Sequence, residues 1–468
     1  MMKVRIIFLI CLYAYNSFSL SAQTLESAYT LPLSEIIEKI ESRFGIKVKY
    51  DKKLIEGKTL AFAEWRILPW SAEESLKAVL APFDYVSWKE SETTFNIRSF
   101  EYHRSPESSG EQFLEYLKTQ YTDKEMWERR KVQIKKCLPE ALRLSPLPEK
   151  PDSKVILTPV RKYTGYTIEN FAIETLPGIY VCGSIYRPVD KQKKHPLILN
   201  PNGHFEKGRY REDHQKRCAM LARMGAIAVS WDLFAWGESL LQFTSNEHTI
   251  SVAQSIQMLN SIRILDYMLT MKDVDDTRVG ITGGSGGGSM TMMMSAIDSR
   301  ITLIIPVVMV SSHFAGGCPC ETGMPTHLCG NRTNNAEITA MFAPRPQLII
   351  SDGKDWTSTV PDLEFPFIKH IYGFYDSQNM VENVHFPDEG HDYGFSKRQP
   401  MYAFVAKHFN LDITRITDKS GIIDESKVTI EKEEQLFVFG KNGEKLPPNA
   451  IKGRDSLIKL LYDVNIYP

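Results

Sequence analysis

The stretch Arg278-Val-Gly-Ile-Thr-Gly-Gly-Ser285-Gly-Gly-Gly-Ser-Met290 constrains this chain more than any other. An apolar run at 279–281 enters a glycine turn that carries one serine, and helix-forming residues follow at 290–297. Gly283-Gly-Ser285-Gly-Gly287 fits G-x-S-x-G, in which small neighbours let the chain turn tightly enough to hold a serine oxygen clear of a sheet. Ser285 is therefore a candidate nucleophile, and the Gly286 N–H, opening the next helix, is a candidate donor to charge developing on a carbonyl oxygen. Two rival glycine motifs fail. A phosphate loop needs Lys-Ser/Thr after its last glycine, where this chain has Ser289-Met290, and a dinucleotide fingerprint beginning at Gly284 needs glycine where Ser289 stands. Met290, Met292, Met293 and Met294 read as core filler.

At 468 residues the chain has room for two or three folded units. Its 56 Lys+Arg and 57 Asp+Glu nearly cancel, so no basic footprint for nucleic acid is present. Residues 1–22 combine Lys3 and Arg5, an apolar run from Ile6 to Tyr15 and a small-residue exit at Ser19-Leu-Ser-Ala22, the pattern of a signal peptide. Later segments are too polar to predict a membrane span. The mature protein is thus expected to be exported, periplasmic or secreted, where disulfides form. Setting aside Cys11 leaves Cys137, Cys182, Cys218, Cys318, Cys320 and Cys329.

Residues 24–98 predict a small α+β domain. Leu33, Ile36, Ile37, Ile40 and Phe44 fall at helical spacing before Gly45, Ser71 with Glu74 forms a capping box, and a hairpin turns around Glu90-Ser-Glu92. Residues 99–150 read as a linker followed by a helix over 112–144, stopped by Ser145-Pro-Leu-Pro148. From 151 to 410 strands and helices alternate, predicting a mostly parallel, doubly wound α/β sheet with antiparallel strands at its entry, within 163–187. His195-Pro-Leu-Ile-Leu199, Ala226-Ile-Ala-Val-Ser230, Val279-Gly-Ile281, Leu303-Ile-Ile-Pro-Val-Val308, Leu348-Ile-Ile350 and Val384-His-Phe386 are its strands. Catalytic groups gather at the ends of such strands. Residues 411–468 form an extension with a predicted strand pair at 427–430 and 434–439 and a short helix at 456–462.

A serine hydroxyl needs a base, and the base needs an anion. His391, in Asp388-Glu-Gly-His-Asp-Tyr-Gly394 after the last strand, is the candidate base; His385, inside that strand, reads as a packed histidine. Asp355, in Ser351-Asp-Gly-Lys-Asp-Trp356, is the preferred acid. Asp352, read as a turn former, and Glu321, in Cys318-Pro-Cys-Glu321, remain alternatives. The loop Asn200-Pro-Asn-Gly-His-Phe205 offers the backbone N–H of His204 as a second oxyanion donor.

The leading domain resembles the short N-terminal domain of secretins and TonB-dependent receptors, through Leu33-Ser-Glu-Ile-Ile-Glu-Lys-Ile40, Phe44-Gly-Ile-Lys-Val-Lys-Tyr50, Ala72-Glu-Glu-Ser-Leu76 and residues 85–97. That resemblance implies contact with an envelope protein through 24–98. Residues 151–410 resemble the α/β-hydrolase superfamily, in particular exported acetylxylan-esterase-like and dienelactone-hydrolase-like enzymes. Asn202-Gly-His204, Trp231-Asp-Leu-Phe-Ala-Trp-Gly-Glu-Ser239, residues 283–287, Ser351-Asp-Gly-Lys-Asp-Trp-Thr357 and residues 388–394 carry it. It implies a Ser285, His391, Asp355 triad working through an acyl-enzyme on acylated carbohydrate or another small ester, without a cofactor. A serine peptidase, a glucuronoyl or other methyl esterase using a basic residue for a uronate, and a non-catalytic envelope binding protein are the rival readings.

The segment Gly316-Gly-Cys-Pro-Cys-Glu-Thr-Gly-Met-Pro-Thr-His-Leu-Cys329 stands apart from a simple hydrolase. Cys318, Cys320, His327 and Cys329 have the chemistry of a zinc set but not the spacing of common zinc motifs. The expectation is no metal and a disulfide from Cys329 to Cys318 or Cys320. Trp231, Phe234, Trp236, Trp356 and Phe395 are candidates for an apolar or sugar-stacking wall, or for plain packing.

Overall fold

The computed structural model describes residues 29–190 and 192–466, so the expected signal peptide lies outside the described residues. The chain divides into two compact units, the first ending at Tyr102 and the second beginning at His103.

In the first unit the helix Leu33–Phe44 buries Leu33, Ile36, Ile37 and Ile40 and ends at Gly45, whose φ of 64° is the left-handed conformation that glycine adopts without strain. Ser71 Oγ accepts from the Glu74 N–H at 3.2 Å and starts the helix Ala72–Leu80. Strands Lys47–Lys49, Thr94–Ser99 and Tyr85–Ser91 form a sheet in that spatial order. The hairpin turn falls at Glu92-Thr93, slightly beyond the predicted one.

The second unit opens with two helices where one was expected. Glu107–Gln120 stops at Tyr121, whose backbone is extended, and Asp123 restarts the chain as Lys124–Ala141 by accepting from the Met126 N–H at 2.9 Å. Trp127, Ile134 and Leu138 are fully buried against the main core. This contact corrects the predicted disulfide. Cys329 is bonded to Cys137 of the second helix, with Cα atoms 5.5 Å apart, and not to Cys318 or Cys320, which are free.

The main sheet comprises β1 (Tyr166–Leu176), β2 (Ile179–Pro188), β3 (His195–Asn200), β4 (Ile227–Trp231), β5 (Val274–Gly284), β6 (Leu303–Val307), β7 (Gln347–Asp352) and β8 (Val381–Phe386). Their spatial order is 8-7-6-5-3-4-2-1, with the short strands Ile156–Leu157 and Arg161–Tyr163 paired to β1. Strands β3 to β8 are parallel, and β2 and β1 are antiparallel. This is the predicted α/β sheet. Alternate residues feed opposite faces: Leu197 and Leu199 join one core, Ile198 the other. After β4 the chain returns through the helix Ala253–Met268 to the other side of β3. The direction of winding therefore reverses between β3 and β5, and the loops leaving those two strands stand side by side.

The predicted strand pair at 427–439 does not form. Residues Glu433–Leu436 are a short helix, and the N–H groups of Val438 and Phe439 donate to buried Glu238 instead of to a partner strand. The helix Arg454–Asp463 does form, burying Leu457 and Leu461.

Candidate active site

Ser285 sits at the β5-to-helix turn with φ 56° and ψ −125°, a strained backbone of the kind found at nucleophile elbows. Its N–H donates to the Val307 carbonyl of β6 at 3.0 Å, and its carbonyl accepts from Gly288 and Ser289 at 2.7 and 3.0 Å. The turn is closed by proximity: a Cβ on Gly283 would lie 2.5 Å from the Gly287 carbonyl. A Cβ on Gly203, in the loop after β3, would lie 2.3 Å from the Gly284 carbonyl and 3.0 Å from Ser285 Cβ. The peptide joining Gly203 to His204 thus lies beside Ser285, where a second oxyanion donor belongs.

On one side of the serine, His391 Nδ1 is 2.6 Å from Asp355 Oδ2. The Asp355 carboxylate is buried on the loop after β7, and its Oδ1 accepts from both the N–H and hydroxyl of Thr357 at 2.6 Å. Burial pushes this carboxyl up, but the bonds from His391 and Thr357 outweigh burial and hold it below the usual carboxylate range. The ring of Phe205 bridges the two parts, against His391 at 5.7 Å between centroids and 3.4 Å from where a Gly284 Cβ would stand. Trp356 packs on His391 at 4.4 Å between centroids, and Phe314 on Trp356 at 4.2 Å. The Arg104 guanidinium lies 4.5 Å from the Phe314 ring and 5.9 Å from the Trp356 ring.

Buried Lys397 holds the His391 loop in place. Its ammonium donates to the Gly390 carbonyl at 2.7 Å and pairs with Asp392, Glu389 and Asp352 at 2.8, 3.3 and 3.4 Å. Asp352 is buried, and burial followed by the charge of Asp355 pushes its carboxyl up to about 6, against the pull of Lys397. Tyr393 shares a hydrogen bond with Thr282 of β5 at 2.8 Å and lies under the Arg217 guanidinium at 4.3 Å. Arg217 also donates to Asn200 at the end of β3 at 3.1 Å. The loops after β3 and β8 are thereby tied to the same strand as Ser285.

On the other side, the His204 imidazole covers the first turn of the helix, so close that a Cβ on Gly286 would lie 2.9 Å from its Cε1 and Nδ1. His204 Nε2 is 2.9 Å from His248 Nε2 and 3.1 Å from Cys320 Sγ. Burial raises the Cys320 thiol, while hydrogen bonds from Cys320 and the two histidines lower Cys318. Glu321 accepts from Ser289 Oγ at 2.7 Å and from the N–H groups of Gly317 and Cys318 at 3.2 Å, and lies 3.8 Å from His204 Nδ1.

The protein described as methylesterase BT1017 is 49% identical to this chain, with a TM-score of 0.86, and the match covers 94% of this chain and 96% of that one. The chain belongs to the α/β-hydrolase esterase family of methylesterase BT1017. A family model described as acetyl xylan esterase (AXE1) matches residues 255–318 of this esterase. A glucuronoyl esterase from Solibacter usitatus, 16% identical, has a TM-score of 0.42 over 60% of this chain and 93% of its own. An acetyl xylan esterase from Paenibacillus sp. R4, also 16% identical, has a TM-score of 0.41 over 60% and 92%. No curated protein sequence matches the chain.

In this esterase the two acids held open beside Asp355 have other surroundings. Asp352 faces Lys397, and Glu321 belongs to the His204 side. His385 bonds Ser351 Oγ within the sheet at 2.9 Å, as a packed histidine. His327 bonds Asn335 at 2.9 Å and stands apart from the His204 cluster. Of the five aromatics left open between a wall and plain packing, Trp356 and Trp236 contact the site histidines, Trp231 and Phe234 are core, and Phe395 is exposed. Three groups escaped sequence reasoning. His248 carries no local motif, Lys397 looks like an ordinary helix lysine, and the buried trio Arg209, Asp232 and Glu238 is assembled from separate loops with contacts of 2.8 and 3.1 Å.

Proposed function

We propose that the protein is an exported serine esterase that removes methyl groups from carboxylic esters of acidic carbohydrate. The observation that carries this reading is the 49% identity to a methylesterase over nearly the whole chain, and the strained Ser285 turn and the His391–Asp355 hydrogen bond at 2.6 Å support a serine mechanism. His391 Nε2 takes the proton of Ser285 Oγ as that oxygen attacks the ester carbonyl carbon. Asp355 keeps the proton on His391 Nδ1 and stabilises the imidazolium. The N–H groups of Gly286 and His204 receive the oxyanion. The tetrahedral intermediate collapses, methanol leaves with the proton returned by His391, and Ser285 is left esterified to the uronate. A water that gives its proton to His391 then frees the acid and restores the serine. Residues 1–22 support export.

A second reading, removal of acetyl groups, is favoured by the acetyl xylan esterase model matching residues 255–318, which contain the elbow. One experiment separates them. The purified mature protein is assayed for methanol release from methyl-esterified polygalacturonate and for acetate release from acetylated xylan, beside Ser285→Ala. Methanol release that falls about 10⁴-fold or more in the variant is expected. Acetate alone would replace the methyl-ester reading with the second one, and release of neither would overturn both.

A further inference from the structure

The His204 side of the site takes no part in these proton transfers, yet His204 Nε2, His248 Nε2, Cys318 Sγ and Cys320 Sγ all lie within 4.8 Å of one another. We propose that these four side chains form a tetrahedral zinc-type site that braces the oxyanion loop against the nucleophile elbow. Zinc bonds of about 2.0–2.1 Å to nitrogen and about 2.3 Å to sulfur place the four donors roughly 3.3–3.8 Å apart, a spacing this cluster meets with small side-chain adjustments.

The histidines are set for it. His248 Nδ1 lies 2.6 Å from the Phe234 carbonyl, which only accepts, so Nδ1 carries the proton and the Nε2 lone pair points into the cluster. His204 Nε2 faces that lone pair at 2.9 Å, and a cation between the rings and the sulfurs takes the place of the proton they otherwise share. His204 Nδ1 faces the carboxylate of Glu321 at 3.8 Å, itself fixed by Ser289 and two N–H groups, so His248 has an outer acceptor bonded to its far nitrogen and His204 has a carboxylate standing just beyond hydrogen-bond reach of its own. Two sulfurs with two imidazoles select zinc over magnesium or calcium. The Cys137–Cys329 bond leaves Cys318 and Cys320 as the free thiols of this segment.

Four protein ligands fill a tetrahedron, so the site holds structure and leaves no position for substrate. It joins the loop after β3, the turn Ser245–Thr249 and the segment at 318–320. Its effect falls on His204, whose backbone N–H and ring lie at Gly203 and Gly286. Metal binding stands independently of the esterase reading; only the role assigned to the brace rests on it.

The test uses the full mature protein, purified anaerobically without chelator or reductant so that the Cys137–Cys329 bond stays intact. Elemental analysis is expected to give about one zinc per chain. Metal-stripped protein given cobalt(II) is expected to show thiolate-to-cobalt charge-transfer and tetrahedral d–d bands, a readout that needs no variant. Cys318→Ser/Cys320→Ser is expected to lose the charge-transfer bands, and His248→Ala to weaken metal retention at least tenfold. Wild-type protein that takes up neither metal overturns the proposal, as does cobalt bound without thiolate bands or a Cys318–Cys320 disulfide found in place of metal in the protein as isolated without reductant. Methanol release is measured separately, so a protein that binds zinc without releasing methanol refutes the methyl-ester reading and leaves the site standing.

Discussion

The two sides of Ser285 are built from different chemistry. At His391, one oxygen acceptor and two aromatic rings contact the imidazole: the Asp355 carboxylate bonds it at 2.6 Å and is held low by His391 and Thr357, Trp356 and Phe205 pack on it, and Lys397 fastens the loop. At His204, two imidazoles and two sulfurs converge, and the carboxylate of Glu321 stands 3.8 Å back. A carboxylate at hydrogen-bond distance fixes a tautomer and stabilises a transient imidazolium, whereas a carboxylate one step removed orients a ring whose other nitrogen has a separate task. Both sides bury an acid beside a histidine, so burial and pairing alone do not define a catalytic acid. Distance and the remaining donors do.

That contrast breaks most sharply under paired substitutions. Asp355→Asn is expected to lower kcat about 10³–10⁴-fold with little change in KM, while Glu321→Gln lowers it less than tenfold. Equal losses in steady-state methanol release would mean the sides have been assigned wrongly. A smaller effect, on stability, follows at Lys397. Its ammonium is buried and faces three carboxylates, of which only Asp352 is buried with it, so Lys397→Met removes the partner of one buried acid and is expected to cost about 1–3 kcal/mol, read as a lowered denaturant midpoint. An unchanged midpoint would show that the loop is fastened elsewhere.

The smallest effect sharpens the comparison through pH. Asp352 is raised to about 6 by burial and by Asp355, so between its ordinary value and 6 the folded state binds more protons than the unfolded state. Stability from this group is therefore present in acid and declines as pH rises through that window. Asp355, held low, behaves oppositely: its contribution is present above its unfolded value and is lost as pH falls through the folded one. Thermal melts of Asp352→Asn are expected to gain on the wild type by a few degrees between pH 4 and pH 7. A difference independent of pH would remove Asp352 from the account.

The sheet was legible because most of its parallel strands carry a short apolar run followed by a loop containing Gly, Asn, Asp or Ser, and because such a sheet admits few windings. The break at Tyr121 was less legible, since an Asp cap inside a charged helical stretch competes with continuous helix periodicity. The tail was misread for a related reason. Alternation at 434–439 predicts a strand, but buried Glu238 offers the Val438 and Phe439 N–H groups a better acceptor than a neighbouring strand. Cys329 likewise had nearer cysteines in sequence, and the helix carrying Cys137 reached it first in space.

By itself the sequence determined the elbow at Ser285, the sheet that presents it, and the placement of His391 and Asp355 on loops after successive strands. Those features are local patterns, or follow from strand order, and local patterns survive being read in one dimension. Only the tertiary structure decided that Cys137 is the partner of Cys329, that Lys397 stands beneath the His391 loop, and that His204 and His248 meet Cys318 and Cys320. Such convergences depend on how loops and helices far apart in the chain pack against one another, and no spacing along the chain records that packing.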